Sequence, residues 1–216
     1  MGSRPDLDSA RRRMVAEQIE GRGIRDPVLL AAFRTVPREL FVAPELAERA
    51  YDDSPLPIAC GQTISQPYIV ARMIEAARVG PGDRVLEVGS GSGYAAAVLA
   101  LLAREVVGIE RHPELCRLAE WRLRGLGLAN GCIVGGDGAR GWPSAAPFDA
   151  IIGSACGPDL PRAWLDQLAS GGAIVAPVGV GGGEQRLVRQ WRSGHGGWAR
   201  DDLGPVRFVP LVEGDG

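Results

Sequence analysis

A glycine-rich loop backed by an acid is followed along the chain by two more acids, each set where a short apolar run stops. The loop is Glu87-Val-Gly-Ser-Gly-Ser-Gly93, with glycines at 89, 91 and 93. It follows the strand-like run Arg84-Val85-Leu86 and opens a helix-like stretch from Tyr94 to Leu102. Backbone without Cβ atoms turns sharply and lets a ligand lie against it. The spacing G-x-G-x-G differs from the G-x-G-x-x-G of dinucleotide binders, which seat a pyrophosphate on the helix N-terminus. A carboxylate beside such a loop repels phosphate and attracts an ammonium or a sulfonium. Glu87, Gly89, Ser90, Gly91 and Gly93 therefore read as a loop for S-adenosylmethionine; the plainer alternative is a tight turn with no ligand. Glu110 ends Glu105-Val-Val-Gly-Ile109, about 20 residues on, where a carboxylate can accept both ribose hydroxyls. Cys132-Ile133-Val134 leads into Gly135-Gly-Asp-Gly138, which places Asp137 to meet an adenine amino group. One such acid alone would be a solvated strand end. Three at successive strand ends point to an adenosine-type cofactor.

These residues need a scaffold that brings strand ends together. Strands are expected near 84–88, 105–110, 132–136, 148–154 and 173–178, with helices near 94–103, 113–126 and 159–169. Residues 148–154 and 173–178 are apolar nearly throughout, as a sheet covered on both faces requires. Alternating strands and helices predict an α/β fold with a doubly wound, Rossmann-like parallel sheet and helices on both faces. Ligands of such sheets sit beyond the C-terminal strand ends, where Glu87, Glu110 and Asp137 fall. Ahead of this core (81–216), residues 1–80 form an N-terminal extension, with helices expected at 9–21, 26–36 and 67–78 and irregular structure over 44–66. Asp26 and Pro27 suit a helix cap and first position. After it, 185–192 and 205–212 predict an antiparallel edge hairpin closed by Ser193–Gly197. The whole is read as one domain.

The bulk numbers narrow the class. The chain has 216 residues and a net charge of −2, with 24 basic residues that are all Arg. Nothing in that balance argues for a nucleic-acid or membrane surface. Met1-Gly2-Ser3 lacks the apolar core of a signal peptide, and Asp6 breaks a myristoylation motif at Gly2. Cys60, Cys116, Cys132 and Cys156 are far apart and read as reduced, mostly buried thiols of a cytoplasmic protein. With only His112 and His195, no metal site is expected. The one asparagine, Asn130, precedes Gly131 in an expected exposed turn, the pairing most prone to succinimide formation.

About 20 residues before the glycine loop stands Gly61-Gln-Thr-Ile-Ser-Gln-Pro-Tyr68. Two hydroxyls and two amides crowd this stretch. One reading is a helix start with Ser65 as cap and Pro67 in the first turn; the other is an acceptor-binding segment. This stretch, followed by the glycine loop, resembles the protein-L-isoaspartate (D-aspartate) O-methyltransferase family. So do Val36-Pro37-Arg38, Leu40-Phe41-Val42, Gly136-Asp137-Gly138, Asp166-Gln167-Leu168 with Gly171-Gly172, Pro177-Val178-Gly179 and Pro205–Leu211. The likeness runs from about residue 12 to 212. Cys60 and Ser154-Ala155-Cys156-Gly157 depart from it, conservatively in size.

The resemblance implies a class I methyltransferase sheet whose last two strands are exchanged relative to most methyltransferases. It implies methyl transfer from S-adenosylmethionine to the α-carboxylate of isoaspartyl residues in damaged proteins and peptides, by a monomer. Ser65 would be the active-site serine. Glu110, Asp137 and Gly138 would hold the cofactor, with Thr63, Ile64, Ser65 and Arg111 as further contacts and Leu211-Val212 closing the site. Such chemistry needs no base, because a carboxylate is already a nucleophile at neutral pH; Ser65 and Thr63 need only orient it. The same fold also serves two other readings, an aspartate methyltransferase that tailors a peptide natural product and a catalytically silent adaptor.

Overall fold

The structure, a computed structural model, describes residues 6–180, 183–194 and 196–214. Gly2 and His195 lie outside these residues. Helix α1 (Leu7–Arg13) widens into π-turns over Met14–Ile19 and tightens over Glu20–Arg22 before stopping at Gly23. The expected 9–21 helix is thus three turn types end to end. Helix α2 (Pro27–Thr35) is capped as expected: the Asp26 side chain accepts from the backbone N–H of Val28 and Leu29. Short helical turns then lead to a two-residue ladder between β1 (Leu56–Pro57) and β2 (Thr63–Ile64), in which Leu56 faces Ile64. Helix α3 (Pro67–Ala77) follows directly.

The core alternates as predicted: β3 (Arg84–Val88), α4 (Tyr94–Ala100), β4 (Glu105–Glu110), α5 (Pro113–Gly125), β5 (Gly131–Gly135), β6 (Phe148–Gly153), α6 (Arg162–Gln167) and β7 (Leu168–Val178). Two more strands, β8 (Gln185–Arg192) and β9 (Trp198–Val206), complete one sheet in the order β5-β4-β3-β6-β7-β8-β9. The pairs from β5 to β7 are parallel; β7–β8 and β8–β9 are antiparallel. The last three strands therefore lie side by side in chain order, as the resemblance implied.

Period-2 alternation sends neighbouring side chains to opposite faces. Val85, Val106 and Ile152 join an apolar cluster with Met14, Phe33, Phe41, Met73 and Leu99. Leu86, Val107 and Ile151 join a second with Phe148, Trp164 and Ile174. The N-terminal helices thus bury their apolar faces against one side of the sheet.

Several expectations need correcting. The outer hairpin strand is 198–206, not 205–212. Arg200, Asp201 and Asp202 disguise it as a loop, yet an edge strand tolerates charge on its solvent side; Asp202 pairs with Arg186 at 2.8 Å across the hairpin. The apolar run past Val206 leaves the sheet instead and straps itself to another loop: Cys156 N–H donates to Val209 O and Leu211 N–H to Cys156 O, both at 2.8 Å. Helix α6 is shorter than 159–169. Of the thiols only Cys156 is buried; Cys60 and Cys132 are exposed and Cys116 is intermediate. Asn130 lies in the expected turn but is not exposed. It is half-buried, and its Nδ2 donates to the carbonyls of Ala100 (2.9 Å) and Ala103 (3.0 Å).

Candidate active site

A cavity of about 620 Å³ opens at the C-terminal ends of β3, β4 and β6. One wall is the glycine loop. Gly89 N–H and Ser90 N–H both donate to Ile109 O, at 2.9 and 3.1 Å, which fastens the loop to the end of β4. Glu110 fastens it again: one carboxylate oxygen accepts from Gly91 N–H at 2.8 Å, the other from His112 N–H at 2.9 Å. Each oxygen keeps a second lone pair for a ligand. Glu87 is 1% exposed, and its Oε2 and the Ser90 Oγ are buried without a hydrogen-bond partner. Burial pushes the Glu87 carboxyl up to about 7; the Ser90 hydroxyl beside it pulls the other way, and the charge of Glu110 adds to the rise. A buried acid with an orphaned oxygen is a site that a cationic group would complete.

Two sequence-predicted residues do not line the cavity. Gly93 (φ 88°) is not part of the cavity wall. A Cβ there would lie 2.9 Å from the Ala119 Cβ, so its role is the close approach of the loop to α5. Asp137 caps the next turn: its carboxylate accepts from Ala139 N–H and from Gly214 N–H, each at 2.9 Å, and like Glu110 it keeps a second lone pair on each oxygen. What faces the cavity at that strand end is Gly136 and Gly138. Gly138 has no alternative, because a Cβ would come within 2.4 Å of the Val88 Cγ1.

The opposite wall is the stretch Gly61, Gln62, Thr63, Ile64 and Ser65. Ser65 does not cap α3. Gln66 holds that position, and no side chain caps the helix. The serine is half-buried and lines the cavity, whereas Thr63 is exposed on its rim. The strapped tail, Val209 to Val212, forms a third side, and Arg111 spans to it with Nη1 3.4 Å from the Val212 carbonyl. Sequence reasoning missed Ser92, Tyr94, His112, Ser154 and Val209 as wall residues. Ser92 and Val209 lie inside segments already singled out, Tyr94 and His112 directly follow Gly93 and Arg111, and Ser154 carries no local signal.

With this geometry in hand, comparison with known proteins is decisive. Residues 9–216 match the family model described as Protein-L-isoaspartate(D-aspartate) O-methyltransferase. The chain belongs to the protein-L-isoaspartate (D-aspartate) O-methyltransferase family. It is 55% identical over 206 residues to Protein-L-isoaspartate O-methyltransferase 1 of Rhodopseudomonas palustris (strain HaA2), covering 95% of this chain and 84% of that one. It is 56% identical over 212 residues to the Protein-L-isoaspartate O-methyltransferase of Methylorubrum extorquens (strain PA1), covering 98% and 92%. A solved protein-L-isoaspartate O-methyltransferase superposes with a TM-score of 0.84 at 27% identity, over 94% of this chain and 66% of the other. A Plasmodium falciparum structure described as a member of the same isoaspartate O-methyltransferase family, in complex with S-adenosyl-L-homocysteine, gives 0.81 at 25% identity, covering 94% and 99%.

Proposed function

We propose that this chain methylates the α-carboxylate of L-isoaspartyl residues in damaged proteins and peptides, with S-adenosylmethionine as the methyl donor, and so starts their repair. The observation that carries this is a single cavity shared by an acid-backed glycine loop and a serine-bearing segment on the facing wall. The residues fit the cofactor. Glu87 offers a buried carboxylate to its cationic amino-acid end, Glu110 keeps acceptor capacity for ribose hydroxyls, and Gly136 and Gly138 leave flat space for adenine. Asp137 supports that end by holding the Gly138 turn, and Ile64, Ser90, Gly89, Gly91 and Arg111 complete the walls. Bound there, S-adenosylmethionine supplies an electrophilic methyl group.

The chain has to orient the acceptor and keep water out. An isoaspartyl α-carboxylate is already ionised at neutral pH, so no general base is needed. The Ser65 hydroxyl can donate a hydrogen bond that fixes one carboxylate oxygen, with Thr63 on the rim as a second donor. A neutral hydroxyl orients that oxygen without over-stabilising it before reaction, which a cation would do. The apolar residues Val209, Leu211 and Val212 cover the third side and limit access of water. The product is a methyl ester; the neighbouring backbone nitrogen attacks its carbonyl and the methoxy group leaves as methanol, giving a succinimide without further help. Its proposed setting is the cytoplasm, acting as a monomer, in keeping with scattered thiols and balanced charge.

The test is tritiated-methyl transfer to matched peptides that differ only in carrying isoaspartate, aspartate or asparagine. Label should enter the isoaspartyl peptide alone and leave as methanol in mild alkali. Absence of label there, or label that survives alkali, overturns the reading.

A further inference from the structure

Arg38 is the most deeply buried cation in the described chain, with no exposed surface. No described carboxylate lies within ion-pairing distance of it. Its Nε donates to the Ala50 carbonyl at 2.7 Å and its Nη2 to the Ser65 carbonyl at 2.8 Å, while Nη1 is buried without a partner. The guanidinium lies 4.7 Å from the centroid of the Tyr94 ring. Tyr94 opens α4 immediately after the glycine loop and is braced edge-on by Phe41 (5.5 Å) and Phe33 (6.1 Å). Beyond Phe41 lies Arg122, 5.8 Å from that ring, whose Nη1 donates to the Ser92 carbonyl at 3.0 Å. A stack of cation, ring, ring and cation thus runs from the cofactor loop to the acceptor segment.

Burying an unpaired cation is costly, and an apolar side chain of similar volume would spare that cost while leaving the Ala50 and Ser65 carbonyls without these donors. Burial lowers the Arg38 guanidinium to about 10, so it stays charged at neutral pH. What the charge adds is a grip on two carbonyls that a planar fork can hold at once and a lysine ammonium cannot match. The Ser65 carbonyl belongs to the last peptide before the Gln66 cap of α3. Fixing that peptide plane fixes the Ser65 backbone from which the side chain projects, one residue beyond the two-residue β1–β2 ladder and beside the Gln66 side-chain bonds to Asp53.

We propose that Arg38 is the positioning residue for Ser65, braced on the aromatic stack that also carries the glycine loop. The catalytic part of this proposal rests on the methyl-transfer reading; the structural part does not.

The experiment uses Arg38→Met, which keeps volume and removes both grips, and Arg38→Lys, which keeps charge and one donor. Four quantities are measured on each: thermal midpoint, affinity for S-adenosylhomocysteine, kcat and KM on an isoaspartyl peptide, and amide exchange across residues 61–66. Loss of the charge-assisted bond to Ser65 implies that Arg38→Met lowers kcat at least about tenfold and speeds exchange at 61–66 by a similar factor. S-adenosylhomocysteine affinity should stay within about threefold, and Arg38→Lys should recover part of both losses. Unchanged exchange or unchanged kcat in folded Arg38→Met overturns the proposal. So does a fall in cofactor-product affinity as large as the fall in kcat, which would mean general loosening. If Arg38→Met does not fold, Arg38→Lys is judged by the same criteria. A wild-type protein silent on the isoaspartyl peptide would sink the methyl-transfer reading, while exchange and affinity would still decide whether Arg38 holds Ser65.

Discussion

On the cofactor wall, the carboxylate of Glu110 ties Gly91 to His112, and the Ile109 carbonyl holds Gly89 and Ser90. On the proposed acceptor wall, residues 56–66 are held by a ladder of two residue pairs, the bonds of the Gln66 side chain to Asp53 and the grip of Arg38 on Ser65. One wall is buried and locked through backbone; the other is half-exposed and held at few points. The difference matches what each wall must meet. A cofactor is always the same molecule, so a rigid site suits it. Damaged segments differ in every residue but one, so their wall has to fix a single hydroxyl and leave the rest adaptable.

If the acceptor wall contributes chiefly orientation, removing its hydroxyl should hurt turnover and little else. Ser65→Ala is expected to lower kcat/KM on an isoaspartyl peptide roughly 10- to 1000-fold, with thermal midpoint and S-adenosylhomocysteine affinity kept. A mutant that unfolds with unchanged specific activity would break the contrast. The cofactor wall should answer in the opposite way. Glu110→Ala removes a loop clamp and the proposed ribose acceptors together, and calorimetric titration should show affinity for S-adenosylhomocysteine reduced at least about tenfold. Unchanged affinity would sink the ribose assignment.

Glu87 sharpens the comparison through pH. Its carboxyl is raised to about 7 by burial, above its unfolded value. The protonated form is therefore favoured by folding, and the stability it contributes without ligand is lost as pH rises through about 7. A cationic ligand favours the ionised form, so affinity for S-adenosylmethionine should increase as pH rises through the same range. Calorimetry across it should show the rise in the wild type and a flat profile in Glu87→Gln. The smallest effect belongs to a region outside both walls. Asn130 donates to the Ala100 and Ala103 carbonyls, so peptide mapping of aged protein should find little isoaspartate at 130 despite the following glycine.

Much of this was legible from residue order. Strands buried on both faces announce themselves as apolar runs, and β3, β4 and β6 fall within a residue of expectation. Strand β9 did not, because an edge strand needs no apolar outer face and its charges imitate a loop. Glu87 and Glu110 fall on the cavity wall because a carboxylate at a strand end lands on the ligand edge of the sheet. Asp137 shares that position, yet its side chain caps the next turn, a choice made by the backbone beyond it. Gly93 looked like the others in its loop, and only the nearness of Ala119 shows that it serves packing. Arg38 was visible solely as part of a motif. Its meaning depends on residues 12 and 27 positions away, which no local pattern reveals.

The borders of the sheet carry a further consequence. An extended, partly unfolded chain is the kind of segment that adds itself to any bare strand. At one border β9 presents Arg200, Asp201 and Asp202 and then Pro205, which has no N–H to offer. At the other, β5 is five residues long; its Ile133 N–H donates to Glu120 Oε2 at 2.9 Å, and the Cys116 thiol approaches the Ile133 carbonyl at 3.6 Å. Both margins discourage strays. An extended chain is thereby offered little bare strand to pair with along either rim.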